Sequence, residues 1–395
     1  MSKMIDYSLS DITKNFDNLR VPLSSKQREN LKKIYPYYGA QNIIDYVDGY
    51  LFDGEYILVA EDGENLKSQK SKICNLVDGK FWVNNHAHII QGKEGNNTRY
   101  IYYYLNLINF KPFITGSAQP KLTKDNLNSI PLKIHDIKTQ QRISTILFVM
   151  DSKIKLNNKI NAELEAMIET LYGYWFVQFD FPDENGKPYK SSGGEMVWNE
   201  DLKKNVPYGW DAKKLEEIFE FKKGVEPGSA EYLNSPINEY CIKFFRVGDI
   251  EGESSVYIDS RNKKYSFVHE KDVVVTFDGS VGKVGIGLNG AISGGLRKVY
   301  DKYGKLDNSL VYFIFKDKRI IATIHKYATG SILLHASSSI NHLKIAYKEK
   351  IYLQFQEIIQ PIYNQIIKNR KENQKLVELR DFLLPMLMNG QIVIR

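Results

Sequence analysis

Two separated groups of residues have the composition of a nuclease site. Pro182-Asp183 and Asp201-Leu202-Lys203 have the loose spacing at which a PD-(D/E)xK nuclease holds Mg²⁺ and activates water. Such a site needs its carboxylates on adjacent strands of a core sheet. Residues 180–207 are instead polar and rich in Gly, Pro and Ser, without the apolar runs of a core sheet. We therefore expect no nuclease site in this segment.

Three further motifs resemble catalytic or ligand-binding sequences. Asn205-Val206-Pro207-Tyr208 is similar to the Asn-Pro-Pro-Tyr loop of adenine methyltransferases, but one Pro and a glycine-rich cofactor loop are missing. Gly279-Ser280-Val281-Gly282-Lys283 lacks the spacing of a phosphate-binding loop. His86 and His88 could ligate a metal ion, but no Cys or carboxylate cluster supports them, and strand alternation explains their spacing. A stand-alone DNA methyltransferase or nuclease with an unrecognised active site remains the alternative.

The composition of the chain limits its partners and its compartment. A formal charge of +7 over 395 residues, with 26 Tyr and 19 Phe, is compatible with a polyanionic partner without requiring one. Cys74 and Cys241 are too few for a disulfide framework or a thiolate zinc site, which fits a reducing compartment. Because no apolar run reaches the ~20 residues that span a bilayer and the start has no signal-peptide core, we expect a cytoplasmic protein without membrane contact.

Two long apolar patterns repeat along the chain. Both step alternately by four and three residues, the spacing of a helix that packs along a seam against another helix. Leu164 and Leu376 are 212 residues apart, and so are Ile154 and Ile366. The two seams comprise Ile143, Leu147, Met150, Ile154, Asn157, Asn161, Leu164, Ile168, Leu171 and Trp175, and then Phe355, Ile359, Ile362, Ile366, Asn369, Asn373, Leu376, Arg380, Leu383 and Leu387. The Asn residues at matching places, Asn157, Asn161, Asn369 and Asn373, predict a fixed helix register.

A β-rich, Gly-punctuated block precedes each helix. Residues 8–12 match 214–218, 55–63 match 271–279, 83–88 match 292–297, and 115–117 match 329–331. The second pair of segments ends in Asp-Gly, which predicts a strand that enters a turn. The order block, helix, block, helix requires the second helix to run back along the first. At 1.5 Å per residue the antiparallel pair would form a rod of roughly 50 Å, against about 34–36 Å for one turn of B-DNA.

Several stretches together resemble one known family. They are residues 37–46, 50–54, 116–122, 140–143, 171–176 and 379–390. In this order they resemble the specificity (S) subunit of type I restriction-modification systems, and the resemblance covers nearly the whole chain. It implies an α+β fold with two β-rich target-recognition domains, joined by two long antiparallel coiled-coil spacer helices in a pseudo-two-fold repeat. The boundaries that we predict are 1–138 for the first recognition domain, 139–176 for the first spacer helix, 177–207 for a linker, 208–352 for the second domain and 353–395 for the second helix.

Two residues depart from the seam pattern. Pro361 lies within the second seam and is expected to kink the helix or to end its first segment. Arg380 stands where the first helix has Ile168, so we expect the seam to shift to Leu379 or the Arg side chain to extend outward.

The resemblance implies DNA recognition without catalysis. Each recognition domain would read one half of a bipartite double-stranded DNA site, while the helices set the spacing and dock two modification (methyltransferase) subunits. Restriction subunits with translocase and nuclease activity would join the larger complex. S-adenosylmethionine, ATP and Mg²⁺ are expected in those partner subunits, and no cofactor or metal is expected in this chain.

The candidate reading residues lie on Gly-punctuated loops. Asn and Gln side chains can pair with adenine, and Arg can bind guanine or phosphate. The candidates are Tyr38, Gln41, Asn42, Asn84, Asn85, His86, Ser117, Gln119 and Lys121 in the first domain, and Arg246, Ser280, Ser293, Arg297, Ser331 and Ser338 in the second. Such residues can also simply form turns, and a coiled-coil scaffold that never touches DNA is a further alternative.

Overall fold

The computed structural model describes residues 4–69, 71–116, 119–252, 254–261, 264–331 and 333–392. The chain divides into two compact units. Unit 1 comprises residues 1–154 and 375–395, and unit 2 comprises residues 155–374.

The described residues of unit 1 form short helices, twelve strands and one segment of each long helix. Its strands are β1 Ile5–Ser8, β2 Thr13–Asn15, β3 Tyr35–Tyr38, β4 Ile43–Val47, β5 Phe52–Asp53, β6 Tyr56–Ala60, β7 Cys74–Val77, β8 Lys80–Val83, β9 Ala87–Gly92, β10 Ile114–Thr115, β11 Lys121–Leu122 and β12 Pro131–Ile134. The first six helices of the chain are α1 Leu9–Ile12, α2 Ser25–Glu29, α3 Asn65–Ser68, α4 Thr98–Leu105, α5 Lys124–Asn128 and the long α6 Ile137–Tyr172.

Unit 2 repeats this arrangement. Its strands are β13 Met196–Asn199, β14 Lys204–Pro207, β15 Asp211–Lys214, β16 Phe219–Lys223, β17 Cys241–Phe245, β18 Tyr257–Asp259, β19 Ser266–Val268, β20 Val273–Thr276, β21 Val284–Gly285, β22 Gly290–Ile292, β23 Leu296–Asp301 and β24 Lys344–Tyr347. Its helices are α7 Leu215–Ile218, α8 Asn308–Lys316, α9 Lys318–Lys326 and the long α10 Glu349–Met388, whose C-terminal part belongs to unit 1.

The two units share one sheet topology. Unit 1 has the orders β2-β9-β6-β7 and β4-β3-β8-β5, and unit 2 has β16-β23-β20-β21 and β18-β17-β22-β19. The second sheet of each unit contains one parallel pair, β3 with β8 and β17 with β22. The internal repeat predicted from short landmarks therefore extends to the order and direction of the strands, and the predicted α+β class is confirmed.

Each unit builds two cores from one central strand. On β6, Ile57 and Val59 face the core that contains the helices, whereas Leu58 faces a second core between the sheets. On β20, Val273 faces the core that contains the helices, and Val274 faces the second core. Because side chains alternate along a strand, a strand buried on both faces must be apolar throughout, which explains these β-branched runs.

The long helices pack along the predicted seam. None of the seam positions named above is exposed. Asn157 on α6 contacts Asn373 on α10, and the later Asn161 contacts the earlier Asn369, so these helix segments run antiparallel. The Asn157 amide donates to the Asn373 side-chain oxygen at 2.9 Å, and the Asn369 amide donates to that of Asn161 at 2.8 Å. All four side chains are buried. A helix shift would leave them unpaired, at about 1–3 kcal/mol for each buried polar group.

An end of the helix at Pro361 and both expected outcomes at Arg380 are corrected, while a kink at Pro361 stays a prediction. Pro361 does not end the helix, since α10 continues on both sides of it and Ile359 and Tyr363 are buried. The seam does not shift at Arg380, because Leu379 is 45% exposed. The Arg380 side chain is only 15% exposed and pairs with Asp151 at 2.6 Å. The seam tolerates the charge because a carboxylate neutralises it.

The segment predicted as a linker, 177–207, is a packed part of unit 2. Strands β13 and β14 pair within it. Phe179, Phe181 and Val206 join the main core of this unit. The predicted linker therefore contains packed structure, because a few scattered apolar residues anchor an otherwise polar segment.

Candidate nucleic-acid interface

Three loops of unit 1 meet at one edge of its sheets. They are the turn at 39–42 after β3, the turn at 84–86 after β8, and the loop between β10 and β11, of which Gly116, Gln119 and Pro120 are described. The Asn84 amide donates to the Tyr38 carbonyl at 3.0 Å, which joins the first two turns. The third loop is joined through the strand-end segment 60–62: the Glu61 amide donates to the His86 carbonyl, and the Leu122 amide donates to the Glu61 carbonyl.

Unit 2 brings its corresponding loops together in the same manner. The Ser293 amide donates to the Phe245 carbonyl at 2.9 Å, as Asn84 does to Tyr38 in unit 1. The Ala336 amide donates to the Phe277 carbonyl at 2.7 Å, as Leu122 does to Glu61. The sequence matches at 83–88 and 115–117 are therefore matches in backbone pairing as well.

In each unit the third loop begins with a glycine, and any other residue at that position would strain the backbone. Gly116 has φ 83° and Gly330 has φ 105°, in the region that favours glycine. A Cβ atom added at either position would overlap the carbonyl oxygen three residues later, that of Gln119 or Leu333. Gly116 and Gly330 thus meet the same backbone constraint, while Gln119 and Leu333 differ in chemistry and are both exposed.

A buried ionic network supports the loops of unit 1. His88 contacts a carboxylate oxygen of Asp17 at 2.6 Å through Nδ1 and the Leu122 carbonyl at 2.8 Å through Nε2. Arg20 pairs with Glu61 at 2.6 Å and donates to the Ala87 carbonyl at 2.9 Å. Burial alone would raise the carboxyl pKa values, but the bonds from His88 and Arg20 dominate and lower the pKa of Asp17 and of Glu61. Both carboxylates are therefore held in the charged form.

Arg297 occupies the place of His88 in unit 2. Strand register shows this, because His88 lies opposite Val59 and Arg297 lies opposite Val275. Arg297 is buried and donates to the Gly294 carbonyl and the Ser337 hydroxyl, each at 2.8 Å. Burial lowers its pKa. Its contact with guanine or phosphate stays a prediction; in this structure the guanidinium connects the loops that carry Gly294 and Ser337.

Two other candidates are also buried, and they form turns. Asn84 accepts a bond from the His86 amide at 2.8 Å through its side-chain oxygen. Ser293 is buried at the matching turn. Their assignment to base reading stays a prediction, and their burial in this structure favours a role in forming the turns.

The remaining candidates reach the surface, wholly or in part. Tyr38 and Gln41 are half-buried, and Tyr38 packs edge-on against Phe81. Ser117 lies outside the described residues. The exposed candidates are Asn42, Asn85, His86, Gln119 and Lys121 in unit 1, and Arg246, Ser280, Ser331 and Ser338 in unit 2.

Several of the exposed candidates are held by carboxylates. His86 contacts Asp62 at 2.6 Å, and Lys121 pairs with Glu61 at 3.1 Å. Arg246 pairs with Asp249 at 3.2 Å. These contacts fix side chains at the loop surface before any partner arrives.

The residues whose side chains bind and position the loops were not predicted from the sequence. Asp62 and Asp278 stood out only as parts of Asp-Gly turns, yet each binds a histidine, His86 at 2.6 Å and His335 at 2.7 Å. The signal available in the sequence was that Asp62 and Asp278 occupy matching positions of the internal repeat. Arg20 carried no signal, because its partner Glu61 lies 41 residues away in sequence.

In each unit, a tyrosine, a carboxylate and an arginine connect the β-domain, which is the unit without its segments of α6 and α10, to those two long helices. In unit 1, Tyr103 donates to Asp151 at 2.7 Å, and Asp151 pairs with Arg380. In unit 2 the group comprises Tyr312, Glu165 and Arg370, with distances to the Glu165 carboxylate of 2.9 Å and 3.1 Å. The β-domain of each unit is therefore fixed to its helix segments by directional bonds as well as by apolar contacts.

Within the ranges given above, no group of three His, Cys, Asp or Glu side chains could hold a metal ion. Over the same described residues, no helix is both long enough and apolar enough to cross a membrane.

Several known proteins are similar to this chain in sequence, and one solved structure is similar to it in fold. A family model described as the type I restriction modification DNA specificity domain matches residues 1–166. A putative type I restriction enzyme specificity subunit of Haemophilus influenzae is 29% identical over 70% of this chain and 66% of its own length. A type I restriction enzyme specificity subunit of Methanocaldococcus jannaschii is 26% identical over 86% of this chain and 84% of its own. The crystal structure of the type I restriction-modification S subunit from M. genitalium has a TM-score of 0.62 at 15% identity, over 98% of this chain and 96% of that one.

The duplicated β-rich domains and the seamed helices occur in a chain that is similar in sequence to type I restriction-modification specificity subunits. The resemblance seen in the sequence is confirmed as a similarity to that family.

Proposed function

We propose that this chain reads a bipartite double-stranded DNA site, one half with the loops of unit 1 and the other half with those of unit 2. The observation that carries the proposal is the duplicated loop scaffold with different exposed side chains. Gly116 and Gly330 start equivalent loops, but the first presents Gln119 and the second presents Leu333. A polar amide can pair with adenine, whereas an apolar side chain can contact the thymine methyl group.

The exposed residues of each loop cluster divide into two roles under this proposal. Lys121 and Arg246 contact phosphates, which positions each unit on the duplex without reading its sequence. The sequence is read by the remaining exposed candidates, Asn42, Asn85, His86 and Gln119 in unit 1, and Ser280, Ser331 and Ser338 in unit 2. Tyr38 and Gln41 contribute from the half-buried edge of the first cluster.

We further propose that the long helices set the half-site spacing and dock two modification subunits, with restriction subunits joining the larger assembly. The four buried Asn residues support a spacing role, since they pair in one register only. Exposed apolar side chains on the helices offer a docking surface. Examples are Val149 and Phe382 in unit 1, and Leu156 and Met167 in unit 2.

The chemistry of the system belongs, in this proposal, to the partner subunits, which use S-adenosylmethionine, ATP and Mg²⁺. The residues of the nuclease-like motif have structural partners here. Asp183 accepts bonds from the Asn185 and Lys187 amides, each at 2.8 Å. Asp201 pairs with Lys344 at 3.0 Å. We also propose a cytoplasmic location, where the DNA partner lies.

Reconstitution tests this division of labour. We expect the purified chain to leave duplex DNA unmethylated and uncleaved, and to direct adenine methylation once modification subunits and S-adenosylmethionine are added. We also expect duplex binding to weaken steeply with salt, because phosphate contacts release counterions. Methylation or cleavage by the chain alone would favour the alternative of a stand-alone enzyme. Salt-insensitive binding, or none with all partners present, would favour a scaffold that does not touch DNA.

A further inference from the structure

Unit 2 contains a half-open cavity that takes no part in the loop cluster. Its volume is about 300 Å³. Its wall is formed by the end of α6, the β13–β14 hairpin, the start of α9, strand β24 and the start of α10. Tyr172, Phe176 and Tyr352 give it an aromatic side. A cavity of this volume can hold a molecule of nucleotide size.

The charges in the wall do not balance. Three cationic side chains, Lys204, Arg319 and Lys344, and two carboxylates, Asp201 and Asp317, line the cavity. His342 also lines it, stacked on Tyr327 with ring centroids 3.7 Å apart.

Two of the three cations already have carboxylate partners. Lys344 pairs with Asp201 at 3.0 Å. Arg319 binds Asp317 through two nitrogens, and Asp317 also accepts the Arg319 backbone amide at the start of α9. These contacts use both carboxylates and leave Lys204 as the remaining charge.

Lys204 has no carboxylate or hydrogen-bond partner among the described residues. It is partly buried, and its ammonium lies 4.9 Å from the centre of the Phe179 ring. Burial, and then the charge of Arg319, lower the pKa of Lys204 to about 8, and the nearby charge of Asp317 offsets only part of this effect. A partly desolvated ammonium beside another cation is unfavourable unless an anion joins it.

A second polar group of the wall lacks a well-formed hydrogen bond. Tyr172 is 4% exposed, and in the described part of the chain its hydroxyl meets no partner at hydrogen-bond geometry, although it interacts with the neighbouring Tyr352 hydroxyl. Buried hydroxyls usually have a partner. The Lys204 ammonium and this hydroxyl belong to one cavity.

We propose that this cavity binds an oxyanion group, a phosphate or a carboxylate carried by a small molecule, with the Lys204 ammonium as its direct partner. Arg319 adds positive charge at the same wall, and the aromatic side accommodates the rest of the ligand. The site lies within unit 2 and is separate from the DNA-reading role proposed above, so either can fail without the other.

Calorimetric titration of the full chain with inorganic phosphate, acetate and AMP tests the proposal. We expect at least one of the three to bind the wild-type chain and to lose at least tenfold in affinity in Lys204→Gln. Lys203→Gln is the matched control, because Lys203 is the neighbouring residue, carries the same charge and has a side chain that is 73% exposed. Phosphate and acetate report on the oxyanion alone, and AMP reports on the added contact with the aromatic wall.

Two results would overturn the proposal: none of the three probes binds, or binding is the same in Lys204→Gln as in Lys203→Gln. Duplex binding, measured on the same samples with modification subunits, should be unchanged in both variants. If Lys204→Gln does not fold, reductive methylation of the wild-type chain replaces it. Saturating probe should then protect Lys204 and not Lys203 in the mass spectrum, and equal labelling of Lys204 with and without probe would contradict the site.

Discussion

At the scale of single residues, the residues that support the loops differ from the residues that the loops expose. Gly116 and Gly330 provide a backbone that a side chain would block, and buried His88 and Arg297 brace it from below. Gln119, three residues after Gly116, is free to vary without disturbing that support. Side-chain identity suggested Arg297 as a reader, but burial and hydrogen bonding favour a supporting role, and neither is visible in a sequence.

Replacing Gly116 tests the backbone constraint. We expect Gly116→Ala to weaken duplex binding by the complex with modification subunits at least tenfold, because the new Cβ overlaps the Gln119 carbonyl and moves the loop. Gly79→Ala is the control: its φ of 89° is similar, but nothing lies within 4 Å of the added atom. The control should cost about 1–2 kcal/mol of folding stability at most and leave binding intact. Equal loss of binding in both variants would show that the loop backbone has no special role.

At the scale of elements, the long helices were the most predictable part of the molecule. Their spacing is a local property, so the seams and the Asn positions could be read directly from the sequence. Arg380 could not, because its neutralising partner Asp151 is 229 residues away. The packing of the segment 177–207 could not be predicted for the same reason, since Phe179, Phe181 and Val206 acquire meaning only from a core assembled by distant strands.

The cross-helix Asn pairs predict a measurable coupling. Asn157→Leu alone should lower the free energy of unfolding by about 1–3 kcal/mol, because the buried Asn373 amide loses a partner. Asn157→Leu combined with Asn373→Leu should recover most of that loss, since two apolar side chains then face each other. Urea unfolding of the two single variants and the double variant measures the coupling. Strictly additive losses would mean that the two amides do not act as a pair.

Replacing all four Asn residues with Leu tests their link to spacing. We expect a more stable helix pair whose register is less strictly fixed, so that methylation in the host spreads over sites with altered spacing between the half-sites. Sequencing of methylated host DNA gives the spacing directly. A quadruple variant with unchanged spacing would remove these residues from the account of register.

At the scale of the whole molecule, the chain contains the same topology twice, with unequal loop surfaces. Strand order, parallel pair and supporting contacts repeat, whereas the exposed side chains do not. A dimer of identical units would read a symmetric site, but two unequal units in one chain can read an asymmetric one. The duplication was visible in sequence because it constrains turns and core residues. The half-sites were not, because DNA contacts depend on which loop atoms enter a groove.

Exchange of one recognition domain tests this account most directly. Residues 1–138 would be replaced by the first domain of a known type I restriction-modification specificity subunit, and the methylated sites of the host would be sequenced with the original and the exchanged chain. We predict that one half-site changes, while the other half-site and the spacing stay the same. A change in both half-sites, or in neither, would contradict two independent reading domains on a common helical spacer.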